Sequence, residues 1–160
     1  LVRSEERRQE LNDFGAGEVC IDDDDVPDRT KELTNGQGCT LGLNSVCGRS
    51  ALRLARSLGE GGVHVTFGAM DTSPVRFPTR SLIFDDVRFV GFWLDKWKRK
   101  QSPASLRNAL EEVLQPLALA EIRHPIDKVF GLDEFAQALA RNSESRMGKV
   151  LLARDKDVIT

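Results

Sequence analysis

Residues 40–70 read TLGLNSVCGRSALRLARSLGEGGVHVTFGAM, and this stretch decides the fold. LGLNSV is an apolar run of strand length. In GRSALRLARSL, Leu52, Ala55 and Leu58 recur at helical spacing with Arg49, Arg53 and Arg56 between them. Gly59, Gly61 and Gly62 are expected to stop that helix, and VHVTFG follows as a β-branched and aromatic strand ending at Gly68. Two parallel strands joined by a crossover helix form a βαβ unit, which places functional groups at the carboxyl ends of the strands. Those ends are residues 44–48 and 67–70.

Upstream, Ser4 is an expected N-cap followed by Glu5 and Glu6 in the first turn of a helix. Leu11 and Phe14 are that helix's apolar contacts, Gly15 and Gly17 end it, and EVCI reads as a short strand. Too few apolar residues precede Ser4 for a whole strand, so the chain is expected to begin partway through one. DDDDVPDRTKELTNG opens with four acids. They lack the Gly and Glu offsets of a calcium loop and instead suit the positive end of a following helix.

Downstream, Pro74 and Pro78 hold their segment out of regular structure, a single turn forms around residues 81–84, and VRFVGFWL is the next strand. Ser102 caps a helix with Pro103 in its first position, with Leu106, Leu110, Val113 and Leu114 on one face and Pro116 as its kink or end. A strand, a short helix with Phe135 and Leu139 inward, and the strand KVLLA complete the chain. Alternating strands and helices predict an α/β protein with a parallel, doubly wound sheet.

At 160 residues, 40% hydrophobic and with a formal charge of -2, the chain is long enough for one domain with a core. Balanced, scattered charge argues against a nucleic-acid partner. No apolar run nears the roughly 18 residues of a membrane span. Cys20, Cys39 and Cys47 lie far apart and, with His64 and His124, make no metal-ligand spacing, so free thiols are expected.

A doubly wound sheet binds its ligand across the carboxyl edge of its strands. This chain puts Arg3, Asn44, the residue 67–70 turn and the Phe92, Trp93, Leu94 tip on that edge. A positive residue at the position of Arg3 suits the 2′-phosphate of NADP, and Gly68 allows a ring to approach the backbone. Phe92 and Trp93 are placed to wall a nicotinamide, or are core. Lys96, Lys98, Arg99 and Lys100 around Trp97 are either a solvated turn or a contact for an anionic tail. The phosphate fingerprint GxGxxG is absent, and GEGG at residues 59–62 ends a helix rather than opening one.

NSVCGRSALRLARSLGEGGVHVTFGAM together with SLIFDDVRFVGFWLDKWKRKQSP resembles the mitochondrial trans-2-enoyl thioester reductases of the medium-chain dehydrogenase/reductase superfamily. The GFWL tip followed by a Trp-Lys pair separates this branch from the quinone reductases of the same superfamily. The resemblance implies NADPH as cofactor, an enoyl thioester on acyl carrier protein or CoA as substrate, a mitochondrial location and a homodimer paired through VRFVGFWL. Its NADPH contacts would fall on Arg3, Phe67, Gly68, Ala69, Met70, Phe92, Trp93, Leu94 and Lys149. The chain departs from the family at Phe67 and Ala69, where Tyr and Gly are usual, and at Glu5, which replaces a second Arg that Arg7 or Arg8 would have to supply.

The resemblance also implies an incomplete Rossmann-type sheet, its first strand and GxGxxG helix missing. It divides the chain into a partial NADP-binding domain at residues 1–122 and a carboxyl-terminal return segment at 123–160. The family's proton-donating Tyr belongs to an amino-terminal catalytic domain, and this sequence has no tyrosine. The residues at hand are therefore expected to hold cofactor without catalysing alone. The alternatives are a non-catalytic remnant that dimerises or binds, and a quinone oxidoreductase-like member of the superfamily.

Overall fold

The computed structural model describes residues 1–155, so residues 156–160 of the expected return segment lie outside the described residues. It forms two compact units, Leu1–Gln101 and Ser102–Thr160. In the first, helix α1 spans Glu5–Asp13, and the Ser4 hydroxyl accepts from the Arg7 amide as its cap. α1 buries no residue, so Leu11 and Phe14 are not the core contacts expected of them: Phe14 is the terminal cap and stays exposed. The expected strand EVCI is a single parallel bridge, Val2 to Ile21, held by Val2 N to Cys20 O at 3.0 Å and Asp22 N to Val2 O at 2.7 Å. Beyond it the acidic run turns away into helix α2, Val26–Leu33.

Strand β1 is Cys39–Asn44, α3 is Gly48–Arg56 and β2 is Leu58–Thr66. The helix stops earlier than its apolar spacing suggests. Ser57 donates its hydroxyl to Arg53 O at 2.9 Å, and the Ser57 carbonyl already accepts from Cys39 N at 2.9 Å. Leu58 therefore belongs to β2, and GEGG lies inside a strand rather than ending a helix. The register runs Cys39 to Leu58 and then Leu41 to Val63, so Gly59, Glu60, Gly61 and Gly62 bulge opposite Thr40 alone.

Helix α4 is Thr79–Phe84, β3 is Arg88–Gly91 and α5 is Leu94–Arg99. The expected strand VRFVGFWL is thus shorter. Phe92 N makes the last rung to Thr66 O at 2.8 Å, after which the chain turns through Trp93 into α5. The sheet is parallel in the order β1-β2-β3. α3 covers one face with buried Ala51 and Ala55, and its Leu54 lies over Gly42. Side chains alternate along a strand, so Leu41, Leu43 and Val90 point to the other face, where all are exposed.

The second unit opens with α6, Pro103–Ala118, capped by the Ser102 hydroxyl, which accepts from Ser105 N at 3.1 Å. Pro116 sits in its last turn and the helix stops at Ala118. Parallel strands β4, Ile126–Gly131, and β5, Lys149–Ala153, carry helix α7, Phe135–Ser143. Phe135 and Leu139, expected inward, are half exposed; the small Ala138 is the buried contact where α7 meets the strands. Arg141 and Asp127 tie the helix to β4 through paired bonds of 2.5 and 2.7 Å.

Candidate functional site at the carboxyl edge of the sheet

Asn44 ends β1 because its side chain takes over the hydrogen bonding of the next turn. Its Oδ1 accepts from Val46 N at 3.2 Å and Cys47 N at 2.9 Å. Its Nδ2 donates to Thr66 Oγ1 at 3.1 Å, across to the end of β2. Phe67 N donates to Asn44 O at 3.0 Å, and Phe92 N reaches Thr66 O. Three strand ends are thereby locked side by side, with Asn44 only 3% exposed beneath them.

The turns after β1 and β2 stack on each other. Met70 N donates to Ser45 O at 3.3 Å and Asp71 N to Val46 O at 2.7 Å. Gly68 is needed because a Cβ there would stand 2.9 Å from Ser45 O, so its small size permits this backbone approach. Gly48 has φ +57, and a Cβ on it would fall 2.1 Å from Asp71 Oδ2. Cys47, between these turns, has φ 70 and ψ -158. That region belongs almost wholly to glycine and costs a side-chain-bearing residue on the order of 1–3 kcal/mol. The thiol donates to Gly68 O at 3.2 Å and receives Asn44 Nδ2 at 3.7 Å.

Asp71 is held below the usual carboxylate range by Ser73, first through its side chain and then through its backbone amide at 2.8 Å. It lies against the start of α3, where the helix's partial positive charge favours an anion. Beside it a cavity of about 710 Å³ is lined by Gly48, Arg49, Leu52, Asp71, Ser73, Pro74 and Arg76. A larger cavity, about 1040 Å³, lies at the opposite, amino edge against Cys39 and Leu58.

Of the expected site residues, Asn44, Phe67, Gly68, Ala69, Met70 and Phe92 come together at this edge. Trp93 and Leu94 follow directly at the turn into α5, and Phe67, Met70, Phe92, Trp93 and Leu94 form an exposed apolar rim. Met70 is 82% exposed and Trp93 64%, with the Arg99 guanidinium 5.9 Å from the Trp93 ring centroid. Arg99 and Lys98 also pair with Asp95 at 2.5 and 3.9 Å. Arg3 is exposed beside the Val2 bridge and makes no ion pair among the described residues. Arg8 pairs with Glu5 at 2.8 Å and Arg7 with Glu10, so both are engaged along α1 rather than reaching back. Lys149 is the exposed first residue of β5 in the second unit.

The sequence reading missed Thr66 and Asp71 as parts of this edge, and gave Cys47, which lies within the expected strand end at residues 44–48, no role of its own. Nothing in the sequence marks a cysteine for positive φ, although an Asn four residues before the first residue of a helix is a usable sign of the turn. Three of the four acids take structural partners through their side chains. Asp23 pairs with Arg29 at 2.6 Å, and Asp22 and Asp24 with Arg53 at 3.3 and 2.9 Å. Among the described residues no group of three or more His, Cys, Asp or Glu is placed to hold a metal ion.

A parallel α/β sheet with its polar side chains gathered at the carboxyl edge defines a Rossmann-like protein. The zinc-binding dehydrogenase family model matches residues 1–115, and the chain belongs to that family, within the medium-chain dehydrogenase/reductase superfamily. It is 38% identical over 144 residues to the mitochondrial enoyl-[acyl-carrier-protein] reductase of Caenorhabditis elegans, covering 87% of this chain and 41% of that protein. To the enzyme of the same name from Dictyostelium discoideum it is 30% identical over 150 residues, 92% of this chain and 42% of the relative. The chain thus spans about two fifths of these relatives' length.

Among solved structures, the mitochondrial 2-enoyl thioester reductase Etr1p/Etr2p heterodimer of Candida tropicalis superposes with a TM-score of 0.73. It is 20% identical, over 89% of this chain and 43% of that one. A protein described as an NADPH:quinone reductase from Mesorhizobium loti gives a TM-score of 0.77 at 22% identity, covering 94% of this chain and 44% of its own. These two likenesses concern the fold.

Proposed function

We propose that these residues are the cofactor-holding part of an NADPH-dependent reductase that saturates the 2,3 double bond of enoyl thioesters on acyl carrier protein or CoA. The observation that carries this reading is the hydrogen-bonded carboxyl edge: Asn44, residues 67–70 and Phe92 stand together where a dinucleotide binds such a sheet. Identity of 38% to an enoyl-[acyl-carrier-protein] reductase, and an Etr1p structure in complex with NADP and crotonyl-CoA, support the choice of chemistry.

The residues present suit that group. The exposed rim of Phe67, Met70, Phe92 and Trp93 offers an apolar wall for a flat ring, and buried Asn44, bonded to half-buried Thr66, fixes the backbone behind it. Arg3 supplies a planar fork of donors for a 2′-phosphate. Bound NADPH would supply hydride, while the protein's part is to bind and orient it and exclude water. Ala69 completes the cofactor contacts of the first unit, with residues 1–122 as the cofactor domain and 123–160 as the return segment. A tyrosine donates the proton in the family, and these 160 residues contain none, so we assign them cofactor holding without turnover.

The basic run Lys96, Lys98, Arg99 and Lys100 is the contact for the anionic carrier, β3 the dimer edge, and the mitochondrion the compartment, as in the relatives' names. Quinone reduction is the second reading, favoured by the fold likeness to the Mesorhizobium loti protein. A fluorescence titration of the chain with NADPH and NADH tests the first. Arg3→Ala should weaken NADPH about tenfold and leave NADH unchanged, the loss of a charge-assisted phosphate contact. Equal weakening of both would remove Arg3 from the phosphate site. Size exclusion with and without NADPH separates a cofactor site from a cofactor-indifferent dimer module.

A further inference from the structure

The geometry points to Cys47 as a positioning residue: a thiol latch that sets the spacing between the two turns flooring the carboxyl edge. The latch rests on three observations. Cys47 holds φ 70 and ψ -158, a conformation that glycine would adopt without strain. Its side chain is buried, and its Sγ–H donates to Gly68 O at 3.2 Å, bridging 21 residues of sequence. Asn44 Nδ2 donates to the same sulfur at 3.7 Å while also holding Thr66, so the sulfur closes a relay running Thr66, Asn44, Cys47, Gly68. The strained backbone is what brings the thiol to the Gly68 carbonyl. Met70 N to Ser45 O and Asp71 N to Val46 O are the bonds that this spacing permits.

A residue that merely filled space would not need that backbone. Glycine would relax the strain and lose the latch, whereas serine would keep a donor aimed at Gly68 O. The two substitutions therefore separate positioning from stability. The part of the inference that concerns ligand affinity rests on the cofactor reading above; the latch itself does not.

The test uses the 160-residue chain and its Cys47→Gly and Cys47→Ser variants. Amide hydrogen exchange, thermal melting and NADPH fluorescence titration are measured on all three. Cys47→Gly should exchange the Met70 and Asp71 amides about fivefold faster and bind NADPH about fivefold more weakly, the worth of one hydrogen bond. Its melting temperature should be no lower than that of the wild type, because strain relief offsets the lost contacts. Cys47→Ser should return both exchange and binding toward wild type. Unchanged exchange at Met70 and Asp71 in the glycine variant would overturn the latch, as would faster exchange that tracks a global loss of melting and that serine does not rescue. Wild-type protein that ignores NADPH while exchange behaves as expected would sink the cofactor reading and leave the latch standing.

Discussion

His64 shows how one residue couples the sheet to pH. It is 1% exposed on β2 under α3, with its ring 5.1 Å from Phe89, and its Nε2 has no hydrogen-bond partner among the described residues. Burial lowers its pKa from the ordinary 6.5. The unfolded chain takes up this proton near 6.5 and the folded chain only at lower pH, so in between the unfolded state binds more protons. Stability therefore falls as pH drops from 6.5 through the folded value. Urea midpoints of the wild type should decline between about pH 7 and pH 5, and His64→Leu should flatten that decline. Asp71 and Asp127, whose pKa values are lowered, lose their contribution only as pH falls below 3.8 and leave this window clear. A slope unchanged by the substitution would assign the acid sensitivity to another group.

At the scale of elements, the acids before α2 bind it to α3 through one arginine more than another. Arg53 donates to Asp22 O at 2.8 Å and to Asp24 Oδ1 at 2.9 Å, with its side chain 18% exposed. Arg49 reaches the same Asp24 at 3.1 Å from an exposed position where water and salt screen the pair. Arg53→Ala should cost about 1 kcal/mol in denaturant melts, and Arg49→Ala should leave the midpoint unchanged. Equal losses would mean that surface charge, not the partly buried bonds to Asp22, joins the helices. The run DDDD was legible as a helix-start feature, but its partners were not, because Asp24 and Arg53 lie 29 residues apart.

At the scale of the molecule, one face of the parallel sheet is covered by α3 and the other leaves Leu41, Leu43 and Val90 half exposed. Parallel sheets are normally covered on both faces, and an apolar patch of this kind drives association. Besides pairing at the β3 edge, the 160-residue chain should associate through this face as its concentration rises, and Leu43→Lys should shift sedimentation toward smaller species; no shift would leave the β3 edge to account for the association. The βαβ unit at residues 40–70 and the Ser4 and Ser102 caps were determined by the sequence alone, since apolar spacing and cap residues act within a few positions. So was the Rossmann-like class that their alternation implies. The tertiary structure decided the rest: the GEGG bulge, the single bridge of Ile21, the outward turn of Phe135 and Leu139, and the tie from Asn44 to Thr66 across 22 residues. Such features depend on strand register and on which neighbour fills a given space, and neither is encoded within one turn or one strand of the chain.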